Sequence, residues 1–128
     1  MKFLRTPLAA SLLTAASMVS WAHHSGAMFD RGKTTTITGT ITEFNWTNPH
    51  SSMKVEVTTD GKTESWAIEM NSPNNLVREG WKRTTLKPGD KVTVTINPLR
   101  EGKPGGWYVA IKLPDGKQLG TTTGPPGT

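Results

Sequence analysis

The chain has 128 residues, of which 34% are hydrophobic, with 13 glycines, 9 prolines, no cysteine and a formal charge of +5. That length fits one domain with a modest core, and the Gly-, Thr- and Pro-rich composition favours a small all-β domain over a helical bundle. Without cysteine there is no disulfide, and lipid attachment through an N-terminal cysteine is excluded.

Residues 1–22 read as a secretory signal peptide: Lys2 and Arg5 are followed by an apolar run from Pro7 to Val19 and by the small residues Ser20 and Ala22. The run is too short to span a bilayer comfortably, so no membrane anchor is expected after processing. Cleavage after Ala22 predicts a periplasmic or secreted protein that begins at His23. Cleavage after Ala27, with Ser25 third from the cut, is the other option, and it would remove His23 and His24. Loss of Lys2 and Arg5 lowers the formal charge of +5 by two. The remaining basic residues are spread among acidic ones and form no electrostatic track, from which no nucleic-acid partner is expected.

Residues 23–33 form an irregular, Gly-punctuated lead-in, in which Met28 and Phe29 are the bulky apolar side chains able to pin it to the domain that follows. From Thr34 the pattern alternates strictly, with Ile37, Gly39 and Ile41 on one side and Thr36, Thr38, Thr40 and Thr42 on the other. The phase then slips to Phe44 and Trp46, as at a β-bulge, and bulges bend strands into barrels. After the turn signal Asn48-Pro49-His50, a second strand carries Met53, Val55 and Val57 to an Asp60-Gly61 hairpin turn. Trp66, Ile68 and Met70 define a third. Ser72 as N-cap, Pro73 at the first helical position and Gly80 as stop predict a helix of about two turns. Val92, Val94 and Ile96 face inward in a fourth strand. A loop from Pro98 to Gly106 leads to a fifth, where Trp107, Val109, Ile111 and Leu113 are expected inside. The tail 120–128 is expected to be disordered.

Three strands, a short helix and two more strands, with a long kinked first strand, is the order of a five-stranded OB-fold barrel, here over 34–119. A six-stranded barrel or a small sandwich is the alternative. Trp46, Trp66 and Trp107 fall in phase with the interior, which leaves Trp81 as the tryptophan expected at the surface.

All three histidines lie outside the predicted strands and helix: His23 and His24 at the processed terminus and His50 in the first turn. A terminal histidine can bind a metal through its amine and imidazole, and one in second position through its imidazole and the intervening amide. Such nitrogen sets suit Cu(II), so the expected ligands are His23, His24 and His50, with copper first and zinc second. Amine and imidazole can both lose their protons to a competing metal near neutral pH. Distance opposes the assembly, because a strand from Thr36 to Asn45 spans about 30 Å and His50 lies past its far end, so the lead-in must double back. The bland alternative is that His23 and His24 are solvated and His50 merely stabilises its turn. Glu43 and Glu69 oppose the apolar face and are candidates for supporting or solvated carboxylates. Met53 and Met70 are in phase with the core, so of the thioethers only Met28 falls outside it.

No nucleophile-base pair, phosphate loop or paired-acid motif is present, and no enzymatic activity is expected. The competing reading of the chain is a metal-free interaction module for a protein or saccharide of the cell envelope. The set His23-His24-Ser25, Phe29-Asp30, Thr38-Gly39-Thr40, Glu43-Phe44-x-Trp46-x-Asn48-Pro49-His50, Trp66-x-x-Glu69, Gly80-Trp81 and Leu86-Lys87-Pro88-Gly89-Asp90 resembles a family of small exported bacterial proteins of unknown function. The resemblance implies export and a domain over nearly the whole mature chain, and no activity.

Overall fold

The structure, a computed structural model, describes residues 26–121. The segment 1–22 expected to be a signal peptide, His23, His24 and the tail 122–128 lie outside the described residues. Six strands are present: β1 (Thr35–Asn45), β2 (Ser52–Thr59), β3 (Lys62–Glu69), β4 (Lys91–Pro98), β5 (Gly105–Lys112) and β6 (Gln118–Gly120), with helix α1 (Pro73–Arg78) between β3 and β4. They pair in the order β3-β2-β1-β4-β5-β6, and a parallel pairing of β3 with β5 closes the first five into a barrel. This is the OB-type architecture read from the strand order. The sixth strand is an edge addition on β5, where Leu119 is buried and Gly120 pairs with Ala110. A single apolar residue between Gln118 and Gly120 offers no alternation to read, and Gly120, expected in the disordered tail, is thus part of the sheet.

The bend in β1 lies where the pattern slipped. Its register against β2 shifts between Ile41 and Glu43, leaving Thr42 as the extra residue. β1 pairs with β4 from Thr35 to Thr40 and with β2 from Thr40 to Asn45, so it passes from one partner to the other at Thr40, just before the bulge. At the crossover a Cβ on Gly39 would collide with the Glu56 carbonyl, so the strand can cross this closely only without a side chain. The same reason applies at the closing seam, where a Cβ on Gly105 would sit 2.7 Å from the Ala67 carbonyl oxygen.

The core joins Ile37, Ile41, Met53, Val55, Ile68, Met70, Leu76, Val92, Val94, Ile96, Tyr108 and Ile111 with Trp81, which is 1% exposed. Trp81 is therefore no surface tryptophan. It follows Gly80, whose φ of +96° ends α1 and turns the chain inward. Its ring packs edge-on against Tyr108, and its Nε1–H donates to the Tyr108 hydroxyl at 3.2 Å. Burial raises the Tyr108 pKa well above the usual phenol range, against a smaller lowering by that hydrogen bond. The opposite correction applies to Trp107. Tyr108 takes the inward position and Trp107 is half-buried on the outer face. Val109 is bulged out between the pairs Ile96–Tyr108 and Thr95–Ala110, which inverts the phase, so Ile111 is inside as expected while Trp107 is outside.

Candidate functional site

Closure of the barrel creates one continuous row of paired residues across four strands: Asn97 with Trp107, Trp107 with Glu69, and Glu69 with Ser52. Residues paired across a sheet point to the same face. Their chain neighbours Ile96, Tyr108, Ile68 and Met53 fill the core, so this row faces outward. The three steps span about 14 Å at ~4.8 Å per strand. Asn97 lies beside the start of β1, and Ser52 beside its end.

The lead-in lies over this row as a strap. Phe29 forms a bridge with Leu99, the Asp30 amide donates to the Pro98 carbonyl at 2.8 Å, and the Asn97 side chain donates to the Lys33 carbonyl at 2.8 Å. Arg100 continues the same edge: its amide donates to the Met28 carbonyl and its Nε–H to the Ala27 carbonyl at 3.0 Å. Phe29 is 3% exposed, its ring centroid 5.7 Å from that of Trp107. The Arg31 guanidinium stands 5.2 Å above the same Trp107 ring, a cation–π contact.

His50 also packs against Trp107, edge-on, with centroids 5.4 Å apart. It is exposed, but its backbone is not free to wander: its carbonyl accepts from the Thr47 hydroxyl at 3.3 Å. The next residue, Ser51, is fully buried, donating to Asn71 and accepting from Met70 through its backbone. The Ser51 hydroxyl is also buried and has no hydrogen-bond partner among the described residues. Beside the cluster, Met28, Phe29, Ala67, Glu69 and Leu99 line a cavity of about 170 Å³. Glu69 is half-buried there, with its Oε2 shielded from solvent.

Of the three histidines expected in the site, His50 is the one the structure describes; His23 and His24 lie outside the described residues. Among the described residues no group of three His, Cys, Asp or Glu side chains could hold a metal. Glu43 lies at the far end of the row, where Asn45 donates both to its carboxylate and to the Ser52 hydroxyl. Its carboxyl is held below the usual carboxylate range first by the Asn45 side-chain amide and then by Lys54, whose Nζ is 3.0 Å away. Met53 and Met70 are core residues, as their phase required. The part of Trp107 in the cluster was not visible in the sequence, because the two glycines before it carry no side chains that would mark the phase.

Residues 10–108 match a family described as a family of unknown function, DUF6152. The chain belongs to this family. No curated protein sequence matches it. Among solved structures, the crystal structure of mitochondrial single-stranded DNA-binding proteins from S. cerevisiae is similar, with a TM-score of 0.48 and 17% sequence identity, covering 63% of this chain and 92% of the other. At that distance the likeness concerns the fold alone. The expectation that nucleic acid is excluded as a partner is nevertheless corrected: dispersed charge does not decide the question. The physical reason is that a barrel brings basic and aromatic residues from separate strands together, and single-strand binding needs no run of basic residues in sequence. No helix among the described residues is long and apolar enough to cross a membrane.

Proposed function

We propose that this chain is an exported, periplasmic binding protein rather than a catalyst. It takes a transition metal, copper before zinc, through His23, His24, the amine freed at His23 by cleavage after Ala22, and His50. One arrangement supports the reading: the strap that continues toward His23 and His24 is pinned to Trp107, the same ring that His50 touches. The apparent 30 Å obstacle along β1 is bypassed, because the closed barrel connects the two ends of that strand by a row of about 14 Å. From Gly26 back to His23 the chain can reach at most about 11 Å, which is on the scale of that row.

His50 alone is a weak ligand, so the site depends on nitrogen donors beyond the described residues. An amine, an intervening amide and imidazoles form a set suited to Cu(II), while imidazoles alone also suit Zn(II). The test is calorimetric titration of Cu(II) into the exported protein, with its N-terminus fixed by mass, beside a His50→Ala variant. Tight, stoichiometric binding that falls by about tenfold or more in the variant is the expected result. Micromolar or weaker binding that ignores His50→Ala refutes the shared site.

A further inference from the structure

On the side of Thr40 away from the bulge, β1 and β2 part. Their ladder ends with Thr40 opposite Glu56, and among the described residues it does not extend to 35–39 of β1 or to 57–59 of β2. On their other sides these stretches are held by β4 and β3. Between them lies a cavity of about 740 Å³, lined by residues 35–38, residues 57–60, Lys62, Glu64 and Trp66. Successive strand residues point to opposite faces, so a cavity lined by consecutive residues on both sides is a split in the barrel wall. Its rims are strand edges.

The Ile41 amide donates to the Asp90 carbonyl and the Ile41 carbonyl accepts from Gly89, both toward β4. By alternation along the strand, the backbone groups of Thr36 and Thr38 point the other way, into the split. The Glu56 carbonyl points at β1, where it would meet a Cβ on Gly39, so the backbone groups of Thr58 face the split from β2. The threonine hydroxyls at the rims are turned aside: Thr36 and Thr38 bond to Thr95 and Thr93 at 3.5 and 3.1 Å, and Thr58 to Thr63 at 2.9 Å. A ligand therefore meets two facing rows of backbone donors and acceptors above the apolar side chains of Ile37, Val57 and Trp66. Another extended chain matches that pattern, and every second side chain of it would reach the apolar floor. Charge narrows the match. At the open end Lys62 and Glu64 pair at 3.4 Å, while the exposed Asp60 carboxylate has no ion-pair or hydrogen-bond partner among the described residues. We propose that the split between β1 and β2 binds an extended peptide segment of a partner protein, about five residues long, with apolar side chains at alternate positions and a basic residue at the Asp60 end. The segment becomes an added strand of the barrel wall. Its site shares no residue with the Trp107 cluster, so it stands or falls apart from the metal reading.

The probe is a set of capped synthetic peptides in which threonine alternates with valine, leucine or phenylalanine, with lysine at one end or the other, titrated into the processed, isotope-labelled protein. Binding should shift the amide signals of Thr36, Thr38 and Thr58 and slow their hydrogen exchange by at least about tenfold. Methylating the peptide amides keeps its side chains but removes its donors, and should weaken binding by at least about tenfold. Asp60→Asn suits the local φ of +51° and should weaken binding about two- to fivefold, less so at high salt. The proposal is overturned if no peptide in the set moves these amides, or if methylated and unmethylated peptides bind alike. Chitotriose, run in parallel, overturns it by moving the same amides where the peptides do not. Protection of Thr36 and Thr38 in the free protein that falls on dilution assigns the split to a second copy of the chain, and this too overturns a partner peptide.

Discussion

Replacing Phe29 with alanine separates the strap from the barrel. Phe29 is 3% exposed, yet it lies outside the central core cluster, and its contacts are with Leu99 and Trp107 on the outer face. Burying a phenylalanine contributes about 1.5–3 kcal/mol, and a tilted aromatic pair adds about 0.5–1.5 kcal/mol. Together they hold the strap down by roughly 2–4 kcal/mol, which is about thirtyfold to a thousandfold in its docked-to-open ratio. The loss is local, because no strand-to-strand core contact is removed. Hydrogen exchange reads it directly. The amides of Asp30 and Arg100, bonded to Pro98 and Met28 across the strap, should lose protection by that factor, while the Ile41 amide, bonded to Asp90 within the barrel, keeps its own. In the same background, Cu(II) affinity should stop responding to His50→Ala, because the N-terminal segment is no longer held beside His50. Unchanged protection at Asp30 and Arg100 would refute the strap as an independent unit, and a persisting response to His50 would refute its part in the site.

The other predictions concern the barrel that carries the site. Tyr108→Phe removes the acceptor of the buried Trp81 Nε1–H, at a cost of about 1–3 kcal/mol. For a domain of this size each kcal/mol lowers the thermal midpoint by roughly 4–8 °C, so a midpoint unchanged in a thermal scan would show that the bond contributes nothing. Gly39→Ala drives a methyl group into the Glu56 carbonyl at the strand crossing, for a loss of about 1–3 kcal/mol in urea unfolding; an unaltered midpoint contradicts the close crossing. Asp90 accepts from the Lys87 ammonium at 2.7 Å and from its amide at 3.0 Å, and the Lys87 hydrogen bond holds its carboxyl below the ordinary 3.8. A depressed native value means that the stabilisation is present above the unfolded-state pKa and is lost as pH falls through the native one. The stability advantage of the parent over Asp90→Asn should therefore be full near about pH 7 and shrink as the pH falls below about 4, and a gap that does not change with pH rules the linkage out.

The barrel was legible because its signals are local. Ile37, Ile41, Met53, Val55, Ile68, Val92, Val94 and Ile96 keep a period of two, and the bulge at Thr42 is written as a phase slip. Ser72 and Pro73 mark the start of α1, where the Ser72 side chain accepts from the Asn75 amide, and Gly80 marks its end. Where the reading failed, the deciding contact is not local. Trp81 has no periodic neighbours, so nothing nearby in sequence says that the turn after Gly80 points inward to Tyr108. Trp107 was placed inside by counting back from Ile111, and the count crosses the bulge at Val109, which is visible only against the register of β4. β6 was missed because its one buried residue, Leu119, acquires meaning from β5 beside it and not from its own flanks.

The candidate site shows the same division more sharply. Measured along the chain, His50 and the lead-in are separated by the whole of β1, so that a shared site requires the lead-in to double back along that strand. Measured around the barrel, the start and the end of β1 are joined by Asn97, Trp107, Glu69 and Ser52, each one strand from the next. That row exists only because β3 and β5 pair in parallel, and the pairing is permitted by the absence of a side chain at Gly105, where a Cβ would meet the Ala67 carbonyl. A glycine at the seam thus bears on a surface site it does not touch. Gly105→Val should open the seam at Ala67 and shift Trp107 away from Glu69, so that His50 and the strap no longer share one ring. Loss of the Trp107–His50 ring-current shift on the imidazole protons, in a protein that is still folded, is the signature expected, and an unchanged imidazole spectrum would show that the row does not depend on the seam.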